Sequence, residues 1–285
     1  PERTVKFTVE EFRTWKSKRV TLLGMSGVGK THISAMLRKH QWYHYSGDYR
    51  IGTRYLDESI LDLVKEQVMH VPFISELLRN DWIYIRNNIK ISDLGPVLSF
   101  VGKLGNPEMG GVPLEDFQRR QAQYRDAEIA AMLDVPAFIG KGQQIYGYPH
   151  FVNDVGGSLC ELDEPEVIDL LVEHTLMLYI QVTDEEEEQT LISRAQSDPK
   201  PLYYRPDFLL EQLDVYLREN GLSYAAEMDP DEFTRWVFPR LFHSRVPRYE
   251  KIAEQGYTVT SREVAQVRDE QDFLNLLETA IARTG

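Results

Sequence analysis

The sequence predicts an α/β fold: a parallel sheet flanked by helices and interrupted by a large helical insertion. Two observations predict it. Short apolar runs with a β-branched or aromatic bias recur at 19–23, 43–51, 150–155, 175–182 and 257–260, with helix-like stretches between them. Parallel neighbours need long crossovers, so strands alternating with helices favour a parallel sheet. Between 55 and 148, by contrast, helical periodicity runs on without a strand.

Each element has its own signal. RVTLL at 19–23 leads into glycines and then into a helix from Lys30 to about Lys39. A second strand at 43–51 runs into a loop. Helices follow over 58–69, 73–80, 93–103, 114–133 and 137–146, punctuated by Pro72, Pro96, Pro113 and Pro136. HFVNDV at 150–155 reads as a strand ending in Gly156 and Gly157, and TLMLYIQV at 175–182 as a buried parallel strand. Thr183 with Glu186 predicts a capping box, which places the acidic run 184–188 in a first helical turn, where the dipole favours it. Gly221 stops a helix over 207–220. Asp229 caps the next helix, with Pro230 at its first position, as far as Phe238; another covers 242–255. A strand at 257–260 and a helix over 269–282 close the pattern.

Composition narrows the classes of function. With 285 residues, 42% hydrophobic, the chain can bury a sizeable core. Mean hydropathy of -0.40 and the lack of a long apolar run argue against a membrane span, and the charged first twenty residues hold no signal-peptide core. Cys160 is alone, so no internal disulfide forms and a reducing cytoplasm is the expected compartment. A net charge of -13 disfavours nucleic acid as a partner, without excluding a local basic groove. His40, His44 and His70 lack metal-ligand spacing, and no structural zinc is expected.

Gly24-Met-Ser-Gly-Val-Gly-Lys-Thr31 fits G-x-x-x-x-G-K-[ST] in full, between a strand and a helix. Glycines let backbone amides turn toward phosphate oxygens, and the helix N-terminus points at the same anion. Gly24, Ser26, Gly27, Val28, Gly29, Lys30, Thr31 and His32 are therefore the expected ATP-binding residues. Lys30 supplies a charge to the β and γ phosphates, and the Thr31 hydroxyl is a ligand for Mg²⁺.

With these residues the chain resembles the small P-loop kinases of the nucleoside-monophosphate-kinase and shikimate-kinase group, and is similar to bacterial P-loop ATPases of undescribed acceptor. The resemblance implies the three-layer sandwich of P-loop NTPases. It covers 1–54 and 149–285 as a core and leaves 55–148 as an insertion that binds the acceptor. Ser46-Gly-Asp-Tyr-Arg-Ile51 stands where that group keeps an acidic residue, which makes Asp48 the candidate to orient the acceptor hydroxyl. Asp154 resembles the acid that supports Mg²⁺, and Gly156 and Gly157 the turn that meets the acceptor. A lid over 189–205 is implied, with Arg194, Lys200 or Arg205 offsetting phosphoryl charge. Arg245-Val-Pro-Arg-Tyr resembles a helix whose arginine contacts an acidic group on the acceptor, and Arg262 is the candidate to stack on the adenine.

In the insertion, Arg119, Arg120 and Arg125 do not share one helical face, so each is either a solvated surface charge or a grip on an acceptor phosphate or carboxylate. Tyr49, Arg50 and Arg54 flank Asp48 and join it as acceptor-side candidates. Trp42, Tyr43 and Tyr45 serve either core packing or base stacking. The combined expectation is an ATP- and Mg²⁺-dependent kinase for a small hydroxylated or phosphorylated acceptor. A kinase of nucleic-acid bases and a nucleotide-sensing ATPase are the two rivals.

Overall fold

A computed structural model describes residues 6–284. In chain order the elements are α1 (Val9–Thr14), β1 (Arg19–Leu23), α2 (Lys30–Leu37), β2 (Trp42–Ser46), α3 (Gly47–Arg50), α4 (Asp57–Val68), α5 (Pro72–Arg79), α6 (Gly95–Val101), α7 (Leu114–Leu133) and α8 (Val135–Gln144). There follow β3 (His150–Asp154), α9 (Pro165–His174), β4 (Leu176–Gln181), α10 (Glu185–Ser197), α11 (Pro206–Asn220), α12 (Pro230–Ala253), β5 (Tyr257–Thr260), α13 (Ser261–Val264) and α14 (Glu270–Thr284). A π-helical turn, Ile51–Tyr55, follows α3.

The chain divides into two compact units. One takes residues up to 47, 129–199 and those from 235 on; the other takes 48–128 and 200–234. The sequence places the insertion at 55–148. The division starts earlier, returns residues 129–148 to the sheet-bearing unit, and assigns 200–234 to the helical one. Local texture could not reveal this, because α7 and α12 look uniform along their length and yet each contains a boundary.

The first unit holds a five-stranded, all-parallel sheet in the order β2-β3-β1-β4-β5. Its central strand is buried from Val20 to Leu23, which matches the apolar RVTLL run. Thr21, the one polar residue in that stretch, bonds Thr175 at 2.7 Å and accepts from Asn153 at 3.2 Å, so its hydroxyl is satisfied in the core. Trp42, Phe12, Ile33, Leu37 and Phe273 are fully buried around the sheet.

Three local expectations change. The second strand ends at Ser46, and helix begins at Gly47. The cap of α10 is Asp184, not Thr183: its carboxylate accepts from the amides of Glu186 at 2.8 Å and Glu187 at 3.2 Å. The acidic run does occupy the first turn. The two helices expected over 229–238 and 242–255 form the single α12, which runs through Pro239 and Pro247. Proline cannot bond the carbonyl four residues back. For Pro239 that carbonyl belongs to Arg235, and it accepts instead from the Gln196 side chain at 3.2 Å, while Arg235 Nε donates to the Gln196 carbonyl at 2.9 Å. The helices α1, α9 and α13 fall outside the elements expected from sequence.

In the second unit, α4, α6 and the π-helical turn pack around Gly52, where a Cβ would lie 2.5 Å from Val97. Phe117, Tyr204, Phe208, Tyr216 and Phe233 form an aromatic core. Asp229 caps α12 as expected, accepting from the amides of Asp231 and Glu232, and Gly221 ends α11 at φ 65°. Among the described residues no helix is long and apolar enough to cross a membrane.

His150 opens β3 under Trp42, with ring centroids 4.9 Å apart, and its Nδ1 accepts from the Lys18 amide at 3.1 Å. Burial holds its imidazole below the ordinary value of 6.5; the Lys18 charge adds to the drop and Glu270 opposes it. The unfolded chain therefore binds the proton first as pH falls. Stability is full above pH 6.5 and declines below it until the lowered folded value is passed. Denaturant midpoints between about pH 7.5 and 5 are expected to fall in the wild type and to fall less in His150→Gln.

Candidate functional site

The residues with the clearest common geometry lie at the C-terminal edge of the first unit's sheet. β1 delivers the chain into a turn over 24–29 whose glycines adopt left-handed or related φ values: Gly24 at 139°, Gly27 at 90° and Gly29 at 103°. A Cβ at Gly24 would lie 2.6 Å from the Ile180 carbonyl oxygen. Gly29 precedes α2 in the αL conformation, with no side-chain cap on the helix. Met25 and Val28 anchor the turn in the core, while Ser26, Gly27, Thr31 and His32 are exposed.

Lys30 is buried, 6% exposed, and its ammonium donates to the carbonyls of Gly24 at 2.6 Å and Met25 at 2.9 Å. The charge is thus held against the turn rather than in bulk water. Thr31 exposes its side chain on the first turn of α2.

β3 ends beside this turn. Asp154 is 7% exposed, and its Oδ2 lies 3.5 Å from His44 Nε2. His44 pairs in register with Val152, so Asp154 is its diagonal neighbour on the same face of the sheet. Spacing along the chain concealed this carboxylate partner. The contact is ionic in distance but lacks hydrogen-bond geometry.

Gly157 continues the line, with the space of a Cβ lying 3.1 Å from Ser26 Oγ and 3.2 Å from its nitrogen. The two turns therefore touch backbone to backbone. The Gly157 carbonyl accepts from Arg245 at 3.0 Å and from the Tyr249 hydroxyl at 2.9 Å. Arg245 also donates to Glu161 at 3.1 Å, and the pair is buried, at 5% and 1% exposure. Burial disfavours the Arg245 charge, but the Cys160 thiol, the Glu161 carboxylate and the Tyr249 phenol outweigh it and raise its pKa. Arg245, expected from its motif to meet an acceptor, is placed by the fold against Glu161 and the Gly157 carbonyl. One turn apart on α12, Arg245 and Tyr249 hold the β3 turn against the glycine-rich turn. The sequence offered no sign of Glu161 or Tyr249 in that role.

The remaining candidates are dispersed. Arg262 pairs with Asp184 at 2.5 Å, on a side chain 64% exposed, so it bridges α13 to the start of α10. Arg194 is exposed in the last turn of α10. Residues 189–197 belong to α10, and Lys200 is exposed beyond it. In the second unit Gln121 clamps the next stretch: it donates to the Leu202 carbonyl at 3.1 Å and accepts from the Tyr204 amide at 2.8 Å. Half of the expected lid is thus helix, and residues 202–204 are pinned. Asp48 accepts from the Tyr124 hydroxyl at 3.4 Å, and Tyr124 stacks on Tyr203. Arg54 is exposed. Arg119 pairs with Asp116 at 2.7 Å, while Arg120 lies over the Phe100 ring and bonds its carbonyl. Burial lowers the Arg120 pKa. Tyr43 stacks on Phe151, and Tyr45 donates to the Ala131 carbonyl at 2.6 Å, which assigns both to packing.

Removing one member of a buried ion pair strands the other charge at about 3–5 kcal/mol. Arg245→Ala is expected to lower unfolding free energy by that order, measured by urea titration; an acceptor-contact role alone would leave stability unchanged.

No family model matches the chain, and no curated protein matches it.

Proposed function

We propose that the chain is an ATP-dependent phosphotransferase whose nucleotide site is the turn over 24–31. The observation that carries this reading is the Lys30 ammonium, drawn against the inside of a glycine turn by the Gly24 and Met25 carbonyls, at the end of the central strand. The sheet order supports it. The connection after β1 runs to the β2 side of the sheet and the one after its neighbour β3 runs to β4 on the other side, so the direction reverses between β1 and β3. Open parallel sheets bind ligands outside the carboxyl ends of strands at such a switch.

The residues fit a polyphosphate. Gly24, Gly27 and Gly29 hold positive φ and carry no Cβ, which leaves the backbone open to approach, and α2 has no side-chain cap on its first amides. Lys30 supplies the mobile cation that β and γ oxygens require. Thr31 and Asp154 are the residues that would hold Mg²⁺, which when bound neutralises charge between those phosphates. Gly157, fixed by Arg245 and Tyr249, keeps the neighbouring backbone close to Ser26 without a side chain between them.

The roles of the other residues rest on the resemblance alone. Asp48 orients an acceptor hydroxyl, Arg54 binds the acceptor, and Arg194 or Lys200 offsets phosphoryl charge. The acceptor is a small hydroxylated or phosphorylated molecule.

Calorimetry with ATP and Mg²⁺ is expected to show saturable binding to the wild type and none to Lys30→Ala. Phosphate transfer to a panel of metabolites and nucleotides should fall about 100- to 1,000-fold in that variant, as for loss of one preorganised electrostatic contact. Absence of nucleotide binding by the wild type rules the reading out.

A further inference from the structure

Asp154 closes β3 with a carboxylate that is largely buried and yet loosely held. It is 7% exposed. Among the described residues no hydrogen bond reaches either of its oxygens, and the ionisable group that stands against it is His44, with Nε2 3.5 Å from Oδ2. A carboxylate that is to ligate a metal is normally fixed by a hydrogen bond from behind.

The imidazole has an unmet need of its own. The His44 side chain is 2% exposed, and among the described residues its Nε2 has neither solvent nor a hydrogen-bond partner. Burying a polar atom in that state is costly. Packing does not explain the choice of residue. Paired residues, and those two apart on one strand, share a face of the sheet. His44 therefore lies in a layer with Trp42 on its own strand, Val152 on β3, and Val20 and Leu22 on β1, all fully buried. An aliphatic side chain would fill that layer without an orphaned nitrogen. What the imidazole adds is a donor beside Asp154.

We infer that His44 is a positioning residue for the metal: with a proton on Nε2 it donates to Asp154 Oδ2 and leaves Oδ1 to the Mg²⁺. The inference rests on the nucleotide site proposed above and adds to it a residue outside the glycine-rich motif. The 3.5 Å separation is a bond not yet closed. Such bonds are often long or misaligned before the ligands arrive and tighten in the complex. Closing this one takes a movement of about 0.5 Å, and the terminal torsion of an aspartate is soft enough to supply both distance and angle. Strand pairing already fixes the backbone of both partners, so little remains to be ordered when the metal binds.

The test uses the full chain loaded with a non-hydrolysable ATP analogue. Mn²⁺ stands in for Mg²⁺, so that the free ion is counted by electron paramagnetic resonance. His44→Leu is expected to weaken Mn²⁺ binding about 10- to 100-fold and to leave the affinity for the analogue in EDTA unchanged. His44→Gln, whose amide keeps a donor near the place of Nε2, should recover most of the loss. In an Asp154→Ala background His44→Leu should cost little more, because the partner is already gone. A role in packing alone would lower urea midpoints and leave Mn²⁺ affinity where it was, or would add in full to the Asp154→Ala loss; either result overturns the inference. The wild type supplies a test that no variant's folding can spoil. The buried Nε2–H proton of His44 should move downfield in the NMR spectrum when Mg²⁺ and the analogue are added, and a resonance that stays in place also overturns it. A wild type that does not bind the analogue removes the proposed nucleotide site, and this inference with it. Binding of analogue and Mn²⁺ that His44→Leu leaves untouched removes the inference alone.

Discussion

At the end of β1 the backbone passes beneath the Ile180 carbonyl at a distance that leaves no room for a Cβ. Gly24 meets this constraint, and the rest of the turn follows from it. The positive φ redirects the chain away from the sheet, the Gly24 and Met25 carbonyls face inward, and Lys30 finds acceptors there. A buried ammonium is tolerable because those carbonyls replace water. The next turn obeys the same rule. Gly157 comes within contact of Ser26, and Arg245 and Tyr249 fix its carbonyl. Two side-chain-free backbones therefore meet at one sheet edge, supported from below by a buried ion pair.

The sheet and its edge were largely legible in the sequence. The five strand signals, the glycine spacing and the caps at Asp229 and Gly221 are local, and local chemistry produces them. What stayed hidden depends on partners remote in the chain. Arg245 reads in the sequence as a contact for an acceptor, and only the fold brings Glu161, 84 residues away, against it in the core. Asp154 lies 110 residues from His44 in the chain, and only strand pairing brings it within 3.5 Å. Gln121 reads as one polar residue in a polar helix, whereas its amide satisfies both a donor and an acceptor of an approaching segment. The extent of each compact unit was hidden for a similar reason: residues 200–234 resemble other helical sequence, and only their packing assigns them.

Charge is distributed in a way consistent with these roles. The acidic first turn of α10 is tied down rather than splayed: Asp184 caps it and pairs with Arg262, Glu187 accepts from Ser261, and Glu188 contacts His243. Most other ion pairs of the first unit lie at the surface, where each contributes little. Arg245 with Glu161, by contrast, is buried, and its value is geometric: it sets where one carbonyl stands.

Pro239 shows how a missing hydrogen can become an architectural asset. An ordinary residue there would spend its amide inside α12. The imino acid cannot, so the Arg235 oxygen is available, and Gln196 reaches across from α10 to take it, with Arg235 reciprocating. A bond that would have been private to one helix becomes shared between two. Alanine there would bring the helix's own amide into competition with Gln196 for the Arg235 oxygen, and leave the bond from Arg235 Nε to the Gln196 carbonyl as the independent half of the link.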